Sequence, residues 1–125
     1  MNKEYECSDI RRYKNYRNFH IYNKFRHQRL YEGVADCDIW NFDTYLTHVI
    51  ITGLRKLAKN STGYPGKAPF TTYENWVAYL NDLANRFEKN EEAIENGPFV
   101  DYEACRAERV KLFTELGEHI GAMWD

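Results

Sequence analysis

The length of 125 residues corresponds to one domain, which can bury about two-thirds of its unfolded surface on folding. Hydrophobic residues make up 43% of the chain and aromatic residues 16%, which is typical of globular proteins and argues against disorder. The small negative net charge, −2, argues against binding of duplex DNA. The three cysteines form no Cys-x-x-Cys pair, so we expect free thiols and no structural zinc site.

Several other classes of protein are disfavoured by missing patterns. No run of about 18 apolar residues is present, so we expect no membrane-spanning helix. The first residues, Met-Asn-Lys-Glu-Tyr-Glu, lack the apolar core of a signal peptide, which favours a cytosolic protein. The chain has no glycine-rich phosphate loop, no catalytic triad motif and no His-Glu-x-x-His motif. We therefore expect neither an enzyme nor a bound cofactor.

A basic and aromatic segment occupies residues 10–31 and is the first predicted element. It carries seven Arg or Lys and no acid, whereas the rest of the chain carries 10 basic and 19 acidic residues. Large apolar or aromatic side chains recur at every third position from Ile10 to Phe25. Three residues turn an α-helix by 300°, so these side chains spread around the whole helix. We predict one helix or two short helices over 12–31, packed on several sides, and disorder over 1–10.

The same segment has two opposite interpretations. Its Arg side chains can bind phosphate and its rings can stack on bases, as in single-stranded nucleic-acid-binding proteins. Alternatively, the rings build the core while the Arg stems cover it and the guanidinium groups stay in water. We favour the core interpretation because the rest of the chain is acidic.

Residues 38–59 are predicted to form the second helix. Asp36 or Asp38 can cap its start, and basic residues near its end suit the helix dipole. Its apolar residues follow helical spacing: Ile39, Phe42, Leu46, Val49, Ile50, Gly53, Leu54 and Leu57.

Two further helices follow a loop over 60–70, which two prolines and two glycines keep irregular. Thr71 and Glu74 form a predicted capping box for a helix that extends to Glu95, before a second loop over 96–100. Its apolar face comprises Trp76, Val77, Leu80, Leu83, Ala84 and Phe87. Asp101 can cap the last helix. The apolar stripe of this helix comprises Cys105, Leu112, Phe113, Leu116, Ile120 and Met123 or Trp124. Its mostly solvated face comprises Arg106, Glu108, Arg109, Lys111, Glu115 and Glu118.

The elements together predict an all-α fold. We expect three to four helices around one aromatic-rich core, in a single domain over 1–125. The segregation of basic from acidic residues suggests attraction between them, either within one chain or between copies, so we also predict a homo-oligomer.

The residues between the first two helices are candidates for a site. Asp36, Asp38 and Asp43 together with His48 suggest a metal, but on a helix His48 lies about 140° around from Asp43. We therefore expect no metal site. We expect Asp36 and Asp38 to cap the start of the second helix, and Asp43 to form an ion pair with the basic segment. Trp40 is either core or a stacking platform. Tyr64 lies in the 60–70 loop, where an exposed ring is a candidate contact.

The chain resembles a group of small proteins of tailed bacteriophages to which no activity is assigned. The resemblance covers most of the chain from Arg26 onward. Its first motif is an Arg followed by the pattern Gly-x-x-Asp-x-Asp-x-Trp-x-x-Asp. A Gly-x-Pro loop, a Glu-x-Trp helix start and a terminal Trp-Asp follow. The matching residues are Arg29, Gly33, Asp36, Asp38, Trp40, Asp43, Leu46, Pro65, Trp76, Trp124 and Asp125. Val34 and Ala35 depart from the pattern, which has an aromatic residue and Ser there, and Met123 replaces a Leu. The resemblance implies a phage origin and expression in the cytoplasm of the infected bacterium.

Three functions remain open on this basis, and an enzyme that uses Asp36, Asp38 and Asp43 with a divalent cation comes last. The first is a binding protein that captures a phosphorylated nucleotide signal of bacterial defence, with Arg26, His27 and Arg29 on phosphate and Trp40 or Tyr64 on the base. Asp36 and Asp38 of the motif would lie in the same site. The second is a helical module that binds a phage or host protein, and the third is a single-stranded nucleic-acid-binding protein.

Overall fold

A computed structural model describes residues 19–96 and 101–124, and in this part of the chain all regular structure is helical. The all-α prediction is confirmed, but the described residues form five α-helices rather than three to four. They are α1 (Phe19–Glu32), α2 (Asp36–Ile39), α3 (Phe42–Asn60), α4 (Tyr73–Glu95) and α5 (Tyr102–His119), followed by a 3-10 turn at Ile120–Ala122. None of these helices is long and apolar enough to cross a membrane.

The extra helix arises because the predicted 38–59 helix is interrupted at Trp40 and Asn41. The preceding residues form the short α2, which Ala35 begins rather than Asp36 or Asp38. The Asp38 carboxylate accepts the Ala35 N–H at 2.8 Å, and the Asp38 N–H donates to the Ala35 carbonyl at 3.0 Å. These two bonds satisfy polar groups at the start of α2. The predicted cap is therefore wrong in position, although Asp38 does serve the helix start.

Contacts divide the chain into two compact units, 1–48 and 49–125, which are described separately. The first unit has a small cluster of buried side chains from α1 and α2: Tyr22, Phe25, Ala35 and Cys37, with Ile21 packed against it. Burial of Tyr22 and Phe25 confirms that rings of the basic segment build a core, whereas Phe19 is exposed. Residues 1–18 lie outside the described residues, and with them the predicted disorder over 1–10 and the start of the predicted 12–31 helix.

The second unit has a larger buried cluster, to which α4 contributes most. Trp76, Leu80, Leu83, Ala84 and Phe87 are buried as predicted, and Val77 packs at the edge. From α3, Ile51, Leu54 and Ala58 join the cluster, and Ile50 and Leu57 pack against it. The predicted stripe is therefore correct at Ile50, Leu54 and Leu57, and wrong at Ile39, Phe42 and Val49, which are exposed. Phe70 from the loop joins the cluster, with ring centroids 4.9 Å from Trp76 and 4.7 Å from Tyr79.

The start of α4 differs from the prediction by one residue, and the start of α5 agrees with it. The Thr72 side chain accepts the Asn75 N–H at 3.1 Å, so Thr72 is the cap rather than Thr71. Asp101 accepts the Ala104 N–H at 3.1 Å, which confirms it as the cap of α5. The α4 helix ends at Glu95, as predicted. Residues 97–100 of the predicted second loop lie outside the described residues.

Two residues of the predicted solvated face of α5 bind α4 instead. Arg86 of α4 makes two hydrogen bonds to the Glu115 carboxylate, at 2.7 and 2.9 Å, and Tyr79 donates a third at 3.2 Å. Arg109 donates to the buried Glu91 carboxylate at 2.6 Å. A carboxylate that is buried needs a charged or hydrogen-bonding partner. Since each of these carboxylates finds its partner on the other helix, the ion pairs join α4 to α5.

Candidate functional site

A groove of about 620 Å³ lies along the outer face of α1. Its described lining residues are Asn23, Arg26, His27, Arg29 and Leu30. Four of them follow the spacing i, i+3, i+4 and i+7, which places them on one face of the helix. The opposite side of α1 carries the buried Tyr22 and Phe25 toward the core. The described lining therefore combines two guanidinium groups, an imidazole, an amide and one apolar side chain, and contains no carboxylate.

Each of the three groove side chains that can carry positive charge lies against a tyrosine ring. The guanidinium carbon of Arg26 is 5.5 Å from the centroid of the Tyr22 ring, and that of Arg29 is 5.4 Å from the Tyr45 ring. The His27 and Tyr31 ring centroids are 4.3 Å apart. Contacts between cations and aromatic faces are attractive and restrict the rotation of the long side chains. Fixing them beforehand lowers the entropy cost of binding an anion.

Arg29 also has a structural role. Its guanidinium group donates to the Asp38 carboxylate twice, from Nε at 3.0 Å and from Nη2 at 2.6 Å. The Asp38 side chain is fully buried. Burial of Arg29 opposes its charge, but the hydrogen bond and attraction to Asp38 prevail and raise its pKa. The ion pair therefore fixes α1 against α2 and positions Arg29 at the edge of the groove.

The neighbourhood of this ion pair is completed by residues that the sequence analysis did not assign to it. The Tyr45 hydroxyl donates to the Gly33 carbonyl at 2.9 Å, beside a backbone turn where Gly33 has a φ of +82°. Such a φ strains any residue with a Cβ, which explains the glycine. Burial, followed by the charge of Arg29, lowers the pKa of His48, which favours the neutral imidazole.

Asp36 lies apart from the ion pair, on the exposed side of α2. Its carboxylate is 3.4 Å from the Lys24 ammonium group, and its N–H donates to the Gln28 side chain at 2.8 Å. Contact with Gln28, followed by the attraction of Lys24, lowers the pKa of Asp36. The two predicted site carboxylates thus both bind residues of α1, and neither is among the described residues of the groove lining.

The two predicted stacking residues also lie outside the described lining. The Trp40 side chain is 62% exposed, and its ring meets the ring of Phe25 edge to face at a centroid distance of 6.1 Å. Phe25 lies on the core side of α1, and Trp40 itself lies in the turn between α2 and α3. Tyr64 is exposed in the loop of the second unit. Of the seven predicted ligand-binding residues, the groove lining includes Arg26, His27 and Arg29.

Metal binding finds no support among the described residues, where no group of three or more His, Cys, Asp or Glu side chains can hold an ion. Asp38 is occupied by Arg29, which removes one member of the predicted Asp cluster. The nucleic-acid alternative depends mainly on Arg11, Arg12 and Arg17, which lie outside the described residues.

Asn23 and Leu30 are groove residues that the sequence analysis missed. Their helical spacing from Arg26 and His27 could have identified them, but this spacing applies only if one continuous helix begins at Phe19, as α1 does. The tyrosines that support the cations are harder to find, because Tyr45 is distant in sequence from Arg29.

Comparisons with known proteins do not identify the chain: it significantly matches no protein-family model, no curated protein and no solved structure. The resemblance to bacteriophage proteins therefore stays a prediction.

Proposed function

We propose that the protein is a non-enzymatic accessory protein that binds a phosphorylated small molecule in the α1 groove. The observation that supports this most is the convergence of Arg26, His27 and Arg29 on one groove whose described lining contains no carboxylate. Its volume of about 620 Å³ falls within the range of small-molecule sites. Guanidinium groups are preferred partners of phosphate because they offer parallel N–H donors.

Each groove residue has its own role in the proposed binding. Arg26 and His27 are exposed and contact the phosphate directly, and the Asn23 amide adds a further donor. Arg29 keeps the site in shape through its Asp38 bonds, which also neutralise most of its charge. Leu30 is 75% exposed and covers an apolar or planar part of the ligand. The proposed ligand is thus an anion joined to a less polar group, such as a nucleotide.

The resemblance to phage proteins suggests which biological role such binding would have. A phage protein that sequesters a phosphorylated nucleotide signal in the host cytoplasm would prevent that signal from activating bacterial defence. Binding without turnover is sufficient for sequestration, which agrees with a site built from phosphate-binding groups and no catalytic motif.

A thermal-shift panel tests the proposal. We expect inorganic phosphate to stabilise the protein weakly, and at least one cyclic nucleotide or cyclic ADP-ribose isomer to stabilise it more. A ligand at 100 times its Kd adds about 2.7 kcal/mol to the stability of the folded state. Stabilisation should decline with added salt, since the contacts are ionic. If no member of the panel raises the melting temperature, the proposal is wrong.

Trp40 provides a check on the location of the site. Because its ring lies beside Phe25 and outside the described groove lining, a Trp40→Ala variant should bind the panel's ligands with unchanged affinity. A large loss of affinity in this variant would place the ligand at the α2–α3 turn instead of the groove.

A second candidate function, binding to a phage or host protein, is favoured by a different observation. Among the described residues of the first unit, four large apolar side chains are more than 60% exposed: Leu30, Tyr31, Ile39 and Trp40. Exposed aromatic residues are common anchors of protein interfaces. In this case a pull-down from infected cells should return one stoichiometric partner, and an Ile39→Ser, Trp40→Ser double variant should lose it. Retention of the partner by that variant would argue against this surface.

A further inference from the structure

A second cavity, of about 450 Å³, lies between the end of α4 and the first turns of α5. Ile94 lines it from α4. The other described lining residues share one face of α5, at the spacing i, i+3, i+4, i+7 and i+8: Tyr102, Cys105, Arg106, Arg109 and Val110. The volume falls within the range of small-molecule sites, and the described lining shares no residue with that of the α1 groove.

The described lining of this cavity is mainly apolar. Ile94 and Val110 are aliphatic, Tyr102 adds a ring, and Cys105 adds a half-buried thiol. Tyr102 is 63% exposed and Val110 is 61% exposed, so both offer apolar surface to a ligand. Removal of such surface from water favours the binding of an apolar group.

The two arginines of the lining differ in how their charge is balanced. Arg109 donates to the buried Glu91 carboxylate at 2.6 Å, so its charge is neutralised by that pair. Arg106 is exposed and forms no hydrogen bond or ion pair with a residue that the structure describes. The described lining contains no carboxylate, so the charge of Arg106 is not neutralised within it. The cavity therefore combines an apolar wall with one available guanidinium group.

We propose that this cavity binds a small carboxylic acid with an apolar body, such as a medium-chain fatty acid. The carboxylate accepts parallel N–H bonds from Arg106, and the apolar body lies against Ile94, Tyr102 and Val110. One guanidinium group matches the single charge of a carboxylate, whereas a phosphate monoester carries nearly two. The site is distinct from the α1 groove, whose described lining is mainly polar.

Alkylation of Cys105 reports binding of octanoate as the probe, because this thiol lines the cavity. A ligand of about 10 non-hydrogen atoms in an open cavity is expected to bind with a Kd on the order of 0.5 mM. Octanoate at about 5 mM should therefore slow the reaction of Cys105 with iodoacetamide about tenfold, as measured by peptide mass spectrometry. Octanamide has the same chain without the charge and should protect Cys105 much less. No protection by octanoate, or equal protection by octanamide, would overturn the proposal.

Replacement of Arg106 tests the charge contact without disturbing the fold. Arg106→Gln should keep the melting temperature of wild type, because Arg106 has no described partner and glutamine is a comparable helix former. Its Kd for octanoate should be at least about tenfold weaker. Lys111→Gln is the matched control, since it removes an exposed cation of the same helix outside the described lining, and it should leave that Kd within about twofold. Equal weakening by the two variants would indicate unspecific ionic attraction and contradict the proposal.

Two further variants locate the bound acid. Val110→Ser should weaken octanoate binding several-fold, since it removes apolar contact from the cavity wall. Arg26→Ala should leave the protection of Cys105 unchanged, because Arg26 lines the α1 groove instead. If Val110→Ser binds octanoate as tightly as wild type, or if Arg26→Ala abolishes the protection, the acid does not occupy this cavity and the proposal is wrong.

Discussion

The Arg29 guanidinium serves two neighbours at once, as it binds the Asp38 carboxylate and lies over the Tyr45 ring. A bidentate pair with a fully buried carboxylate is strong only while both partners are present. Arg29 therefore positions the groove as well as lining it. Its pairing with Asp38 across nine residues was missed in the sequence because helical spacing does not bring the two together.

An Arg29→Gln variant is expected to unfold more easily, by about 3 kcal/mol, because it leaves the Asp38 charge buried without its counterion. Lys24→Ala is the control, since the Lys24–Asp36 pair is largely exposed and should contribute little to stability. Urea denaturation followed by circular dichroism measures both. Equal stability of the two variants would show that the buried pair does not hold α1 against α2.

Cys37 should be chemically inert in the folded protein. Its side chain is buried, and burial together with the Asp38 charge raises the pKa of the thiol to about 11. The thiolate is the reactive form, so alkylation near pH 8 should be much slower at Cys37 than at the half-buried Cys105. Peptide mass spectrometry after timed iodoacetamide treatment measures both rates. Equal rates at the two cysteines would contradict the buried position of Cys37.

At the scale of elements, α4 was the easiest to predict and α2 the hardest. The apolar spacing in α4 is regular, and the sequence Asn96-Gly-Pro predicts an end that agrees with the observed one at Glu95, so local signals agree with the fold. The break at Trp40 and Asn41 has no such signal, since neither residue is a helix breaker. It coincides with the bonds of Asp38 to Arg29 and Ala35, which involve another helix. Tertiary contacts of this kind lie beyond local sequence patterns.

The cap of α4 gives a test that distinguishes two adjacent threonines. Thr72→Ala should lower the free energy of unfolding by about 1 kcal/mol, because the Asn75 N–H loses its acceptor. Thr71→Ala should change it much less, since Thr71 is exposed and precedes the cap. Urea unfolding curves of the two variants provide the measurement. A larger effect at Thr71 would restore the capping box predicted from the sequence.

The contact between α4 and α5 predicts a dependence on acidity. The hydrogen bond from Arg86 holds the pKa of Glu115 below its ordinary value of 4.5. A carboxylate with a lowered folded-state pKa stabilises the fold above its unfolded pKa, and this contribution is lost as the pH falls through the folded-state pKa. Glu115→Gln should therefore cost about 1–2 kcal/mol at pH 7 and have a smaller effect in acid.

Thermal unfolding of wild type and Glu115→Gln from pH 7 to pH 3 measures this difference. Asp82→Asn is the control, because the Arg86–Asp82 pair is an exposed pair within one helix turn and should contribute less than about 0.5 kcal/mol. A stability difference between wild type and Glu115→Gln that is constant with pH would contradict the assignment.

At the scale of the whole molecule, the segregation of charge along the sequence is partly explained by pairing. Of the basic residues in α1, Lys24 binds Asp36 and Arg29 binds Asp38, so basic and acidic segments that are close in sequence attract each other within one chain. Arg26 instead lies over Tyr22 at the groove. The sequence identified the region where a site would lie, but it could not show which cations are occupied by carboxylates and which line a groove.

The proposed function depends above all on binding of a ligand phosphate by Arg26, and titration calorimetry with cyclic ADP-ribose and a cyclic dinucleotide is its sharpest test. The measurement compares wild type with Arg26→Ala and Lys24→Ala, which remove cations from the same helix inside and outside the described groove lining. We expect at least one ligand to bind, Arg26→Ala to weaken its binding by at least about tenfold, and Lys24→Ala to leave its Kd within about twofold of wild type. No binding of either ligand, or equal weakening by the two substitutions, would contradict the claim.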